Sequence, residues 1–299
     1  MNSITRIIRP MKTRTMLGLV LLVGAGFGIR NLPQKVAPGL TAWWPWTTTT
    51  VTFYYPDGRF IVPVSRRMTK NADVPRATLQ ALLAGPAATT GLKNSLPRGT
   101  EIRSFDLTEG LARIDLSSSV PEGPGLTRAA ETAIVETMTA LPGVTSVSLS
   151  VDGKSLTDSV KRTPLLYYGS PNGLVAVPVS ATSPRVALTT YLSAPPDPGL
   201  TGLPSDVRVL GYEHDTDAGV LSLNFSYTPS VRTLALERPD RMRLSLLGLI
   251  ASLTEFPSVR AVRLDFEGQT RLGLGQCSDL LRTVQPRPEL LNDERLLGR

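Results

Sequence analysis

The sequence predicts an α+β protein made of two tandem copies of one small β-β-α-β-β-α-β sandwich, with helices on one face of a mainly antiparallel sheet and a membrane segment in front. Three observations predict it: an ordered internal repeat, strand-like and helix-like apolar periods in each copy, and a charge-free run near the N-terminus.

The repeat has a period near 110 residues. Phe53-Tyr54-Tyr55 answers to Leu166-Tyr167-Tyr168, and Val62-Pro63-Val64-Ser65 to Val177-Pro178-Val179-Ser180. Leu96-Pro97 recurs as Leu203-Pro204, and Ala112, Ile114 and Leu116 as Leu221, Leu223 and Phe225. Leu141-Pro142 and Val144 match Phe256-Pro257 and Val259; Val151-Asp152-Gly153 matches Phe266-Glu267-Gly268. The matches keep their order while the offset drifts, which places the length changes in loops.

Each copy opens with two short strands, in the first copy about 51–55 and 60–64, joined by a Pro-Asp-Gly turn at 56–58. A helix over 74–84 comes next, with Pro75 in its first turn and Gly85-Pro86 at its end. Its counterpart starts at Ser183-Pro184. A hairpin turning at Glu109-Gly110 returns with Ala112, Ile114 and Leu116 on one face and Arg113 and Asp115 on the other. A long helix over about 126–140 aligns Leu126, Ala130, Ile134, Met138 and Leu141; the second copy uses Met242, Leu246, Ile250 and Leu253. Val147-Leu149-Val151 and Val262-Leu264-Phe266 are the last strands. The tyrosine pairs Tyr54-Tyr55 and Tyr167-Tyr168 are expected to split, one ring buried and its neighbour exposed, because neighbours on a strand face opposite ways.

Met16 to Ile29 carries no charge; Arg6, Arg9, Lys12 and Arg14 precede it and Arg30 comes directly after. That pattern is an export signal or short signal-anchor, shorter than the ~20 residues of a standard span, and it puts residues 1–14 in the cytoplasm and the bulk of the chain outside. Phe27, Ile29 and Arg30 fit a cleavage site poorly, so an uncleaved anchor is expected. The linker at 31–50 holds Trp43, Trp44 and Trp46, read either as an interfacial anchor or as packing residues.

The formal charge is +7, of which the five cations of residues 1–30 supply 5, leaving +2 for the rest. No basic stripe remains for a phosphate backbone, so no nucleic-acid partner is expected. One cysteine, Cys277, excludes an intramolecular disulfide and a Cys-based metal site. One histidine, His214, sits in Glu213-His214-Asp215, read as a solvated polar turn, and no Gly-x-Ser-x-Gly elbow accompanies it. The Gly-rich piece at 271–275 lacks the strand-then-helix setting of a dinucleotide loop. Asp115, Asp152, Asp265 and Glu267 fall on strands or their ends; they are outward strand charges, or a carboxylate pair of the kind a glycosidase uses. No catalytic residues, cofactor or metal are expected, and the chain is read as a non-enzyme.

The Phe-Tyr-Tyr-Pro opening at 53–56, Val-Pro-Val-Ser at 62–65, Leu-Leu-Ala-Gly-Pro at 82–86 and Ser-Leu-Pro-Arg-Gly-Thr at 95–100 occur in order with Leu-Pro-Gly-Val at 141–144 and Val-Asp-Gly at 151–153. Together they resemble the GerMN domain of sporulation and germination proteins, and two such domains behind a membrane anchor match its tandem members. The resemblance covers about 50–270. It implies a structural role in the sporulation or germination envelope, between mother cell and forespore, through contacts with other extracytoplasmic proteins, possible higher-order assembly and proper peptidoglycan. Members of the family are commonly lipoproteins; no cysteine lies near residue 30 here, so a peptide anchor replaces the lipid.

The expected organisation is 1–30, cytoplasmic tip and anchor; 31–50, linker; 51–158 and 163–270, the two domains joined by a short junction; and 271–299, a tail the repeat does not place. The leading functional expectation is a scaffold or assembly protein. The alternatives are a peptidoglycan or wall-polymer binding module and a cryptic wall hydrolase.

Overall fold

The first hairpin of each repeat is apolar on both faces, and this decides the architecture. In β1 (Thr48–Asp57) Val51, Phe53 and Tyr55 belong to one buried cluster and Tyr54 to another. A strand buried on both sides needs cover on both sides. The computed structural model describes residues 48–70, 73–117, 126–267, 274–281 and 283–298. The chain divides into two units. In Met1–Thr49, only Thr48 and Thr49 are described, extended at the start of β1. Thr50–Arg299 contains both repeats. The Met16–Ile29 segment and Trp43, Trp44 and Trp46 lie outside the described residues; among those described, no helix is long and apolar enough to cross a membrane.

Repeat one continues with β2 (Phe60–Thr69), α1 (Val74–Ala84), β3 (Ile102–Thr108), β4 (Leu111–Leu116), α2 (Arg128–Thr139), β5 (Ser146–Val151) and β6 (Lys154–Lys161). Repeat two has β7 (Leu165–Ser170), β8 (Gly173–Pro178), α3 (Pro184–Ser193), β9 (Val209–Asp215), β10 (Val220–Phe225), α4 (Pro229–Glu237), α5 (Pro239–Leu253), β11 (Ala261–Phe266) and β12 (Gln285–Pro286). The helix starts are capped as their sequences require. Asp73, Thr127 and Ser183 accept from the backbone N–H three residues on.

Among the described residues the strands form three four-stranded sheets, β3-β4-β5-β6, β12-β11-β10-β9 and a shared β1-β2-β8-β7. The expected single sheet per copy is therefore corrected: each repeat gives its first hairpin to a sheet spanning both. β4–β5 and β10–β11 run parallel. Ile61 of β2 pairs antiparallel with Ala176 of β8. These residues precede the matched Val62 and Val177, so each is the other's repeat equivalent and a pseudo-two-fold axis passes through the pair.

The end of the first predicted domain and most of the short junction after it are β6, which completes the first repeat's own sheet. Helix α4 is absent from the predicted elements. Its Thr228-Pro229 start, with Thr228 accepting from the Val231 N–H, is the cap-then-proline signal that marks α3. The tail acquires a place. β12 pairs with β11 where β6 pairs with β5. Beyond it, Asn292 accepts from Leu174 N (2.8 Å) and donates to the Pro63 and Leu174 carbonyls (2.6 and 2.8 Å). Pro63 has no N–H to offer β8, so a carboxamide fills the ladder there. Ser65 N then donates to Asn292 O and Glu294 N to Ser65 O. Leu291 and Leu297 are buried, in the seam cluster and the first repeat's core respectively.

Candidate functional site

The shared sheet brings Tyr54 and Tyr167, repeat equivalents, face to face with hydroxyls 3.0 Å apart. Each strand is fixed at the same point by a helix hydroxyl. Tyr54 N donates to Thr137 of α2 and Tyr167 N to Ser252 of α5. Thr137 and Ser252 are equivalents too, counted back from Leu141-Pro142 and Phe256-Pro257. The two edge strands thus have a backbone donor satisfied by a helix, as a protected edge requires.

Around the hydroxyls lie Arg162, Arg287, Glu136 and Glu255. Tyr167 donates to Glu255 Oε1 (2.7 Å), so Tyr54 is the donor to Tyr167. Arg162 Nη2 reaches both tyrosine hydroxyls (2.8 and 3.1 Å) and Glu255 (2.9 Å). Arg287 Nη2 donates to Glu255 (2.6 Å) and its Nη1 to the Ala251 carbonyl. Burial pulls the Arg162 and Arg287 pKa values down, but the surrounding tyrosines and Glu255 outweigh it and both are raised. The Tyr167 hydroxyl is pushed up by burial and then by Glu255.

Glu136 is the frustrated member. Its Oε2 lies 3.3 Å from Arg162 Nε, yet neither atom makes a hydrogen bond. Burial raises its carboxyl to about 7 against the pull of Arg162. A cleft of about 420 Å³ opens beside this cluster. Thr50, Thr52, Thr139 and Thr254 line it with Arg162, Arg287 and Glu289. The arrangement is an ion-and-hydroxyl lock between repeats: Glu136 and Glu255 both have Arg162 beside them, and at the cleft Thr50 donates to Glu289 (2.8 Å).

The predicted candidates do not converge on this lock, except the tyrosines. All four tyrosines are buried, which corrects the expected split; the sheet is covered on both faces. Burial pushes Tyr55 and Tyr168 up to about 12. His214 is on β9 rather than in a turn, with Nε2 2.9 Å from the Ser258 carbonyl. Cys277 is fully buried, and burial raises its thiol. Asp115 accepts from Ser150 (2.7 Å) and Gly153 N, which lower its pKa, while Arg103 pairs with Asp152 at 2.6 Å. Asp265 and Glu267 are on the other repeat's sheet, so the four acids form no common site. Most of 271–275 lies outside the described residues. Among the described residues no three His, Cys, Asp or Glu gather to hold a metal. Sequence reading missed Arg162, Arg287, Glu136 and Glu255. Arg162 and Arg287 are structural equivalents, each directly after the strand pairs Ser146–Lys161 and Ala261–Pro286, but a longer stretch before β12 takes them out of the sequence period. Glu136 and Glu255 have Ala251 and Ala140 at the equivalent positions.

The comparisons with known proteins agree with the duplicated architecture. The tandem GerMN domains of the sporulation protein GerM from Bacillus subtilis match with a TM-score of 0.61 at 18% identity, over 82% of this chain and 99% of that one. A putative lipoprotein from Clostridium perfringens matches 39% of this chain and 83% of its own at 23% identity, with a TM-score of 0.25. No curated protein matches the chain. A family model described as "Germane: Sporulation and spore germination" matches twice, at residues 52–157 and 165–272. These two matches together cover well over half of the sequence, one on each repeat, and the chain therefore belongs to this GerMN-domain family of sporulation and spore germination.

Proposed function

We propose that this chain is a non-enzymatic assembly protein of the sporulation or germination envelope, anchored by residues 16–29, with its bulk outside the cytoplasm and acting through protein contacts of its two domains. The observation that carries the reading is the shared sheet. A four-stranded sheet, the tyrosine–arginine lock and the tail hold two domain surfaces at a fixed separation, which is what a scaffold needs and a string of independent binding modules does not. Deleting the gene and counting heat-resistant, germinating spores tests it. A marked loss is expected, restored by the wild-type chain; undiminished spores would end the reading.

A second reading, binding of a wall polymer, is favoured by the threonine-lined cleft at the seam. Purified sacculi discriminate. A scaffold stays in the supernatant, a wall binder sediments with the sacculi, and a hydrolase releases muropeptides.

A further inference from the structure

The two repeats treat one position differently. Both β3 and β9 are sheet edges, and both carry a bulge near their start. The bulge skips Arg103 in β3 and Leu210 in β9, the same place counted from Leu96 and Leu203. In repeat one, Arg103 lies across Asp152 (2.6 Å) and Asp115 (3.8 Å). In repeat two, the turn acid is kept as Glu267, with the same left-handed backbone as Asp152 (φ 54° and 50°). Among the described residues, its carboxylate accepts a long bond from Tyr227 N (3.3 Å). Asp265 adds a second negative charge nearby, with a buried oxygen that has no hydrogen-bond partner. No ion pair joins either acid to a cation among the described residues. Where the arginine would stand, Leu210 is 55% exposed beside Val209 at 39%.

β9, though bulged at Leu210, carries less charge at its start than β6. β6 carries Lys154 and Lys161 at its ends and a left-handed kink at Ser159, the usual protections against strand addition. The first half of β9, Val209-Leu210-Gly211, has no charge at all.

We propose that the β9 edge of the second repeat docks an extended segment of a partner protein, which lays an aliphatic side chain on Val209 and Leu210 and brings an arginine to Glu267. The partner supplies in trans the cation that repeat one holds in cis, and its backbone pairs with the free edge. This rests on the assembly reading and names its contact surface.

The test uses the full-length chain in detergent and two labelled peptides of alternating Thr and Val, one with a central Arg and one with Glu in its place. The Arg peptide is expected to bind about tenfold more tightly than its twin, and Glu267→Gln to erase the difference. Leu210→Arg, which copies repeat one, folds and loses the Arg peptide; Leu210→Ser weakens both peptides. Equal binding of the two peptides, or full binding by a folded Leu210→Arg, overturns the proposal. Self-association of the wild type that Leu210→Arg abolishes in sedimentation assigns the edge to a second copy and overturns it too. In cells lacking the gene, a folded Leu210→Arg chain that restores spores fully defeats this inference alone, whereas a deletion without defect defeats the assembly reading itself.

Discussion

Repeat one completes its own sheet, whereas repeat two depends on the C-terminal tail. In the first, β6 continues directly from β5 and closes the sheet. In the second, the equivalent edge waits for β12, and the chain then returns across the seam to pair with Ser65 of the first repeat. The same contrast holds inside the helices. Ala133 of α2 is replaced in α5 by Gly248, where a Cβ would run into the Tyr167 carbonyl. The first repeat closes its own outer sheet, although Leu297 of the tail enters its core. The second takes its closing strand from the tail that also packs on the first.

The sharpest way to break this comparison is Asn292→Ala. It strands the Leu174 N–H and two carbonyls in a buried site, at about 1–3 kcal/mol for each unsatisfied group. We expect a loss of about 4 kcal/mol in urea unfolding, felt by both repeats. A loss confined to one would mean that the tail is local decoration.

Next is the pair Gly248→Ala and Ala133→Gly. The first overpacks α5 against β7 and costs about 1–3 kcal/mol; the second costs only about 1 kcal/mol in helix propensity. Equal effects would remove the asymmetry between the helices.

The lock sets the pH dependence. Glu136 has a folded pKa of about 7, above its ordinary 4.5. The folded state therefore holds a proton that the unfolded chain gives up, and stability from this group falls as pH rises from 4.5 through 7. The difference is on the order of 3 kcal/mol. Glu136→Gln should flatten the melting temperature between about pH 5 and 8 and exceed wild type at about pH 8, since Glu255 still pairs with Arg162. An unchanged pH slope would remove Glu136 from the lock.

The smallest effect is Arg103→Leu. Its ion pairs are half exposed and worth under about 1 kcal/mol, so the first repeat should stay folded with a near-normal melting temperature.

The elements were legible because their signals are local. Pro75 and Ser183 announce helices, Ala112-Ile114-Leu116 alternates, and Met242 to Leu253 keeps a helical stripe. The pairing of the two copies was less so. A strand with both faces apolar, as at Phe53-Tyr54-Tyr55, reads the same whether its second face meets a helix or another domain. The clue lay in two adjacent tyrosines, repeated, which one-sided burial cannot accommodate. Arg287 and Asn292 were invisible because their partners lie over a hundred residues away, at Tyr167 and Leu174, and no period connects them.

Hydrogen exchange on the full-length chain tests the central claim, that the two repeats form one structural unit. The amides of Tyr54, Tyr167 and Leu174 should open with a single free energy, and Asn292→Ala should lower all three together. Two separate opening energies, with Tyr54 unaffected by the change at Asn292, would contradict it.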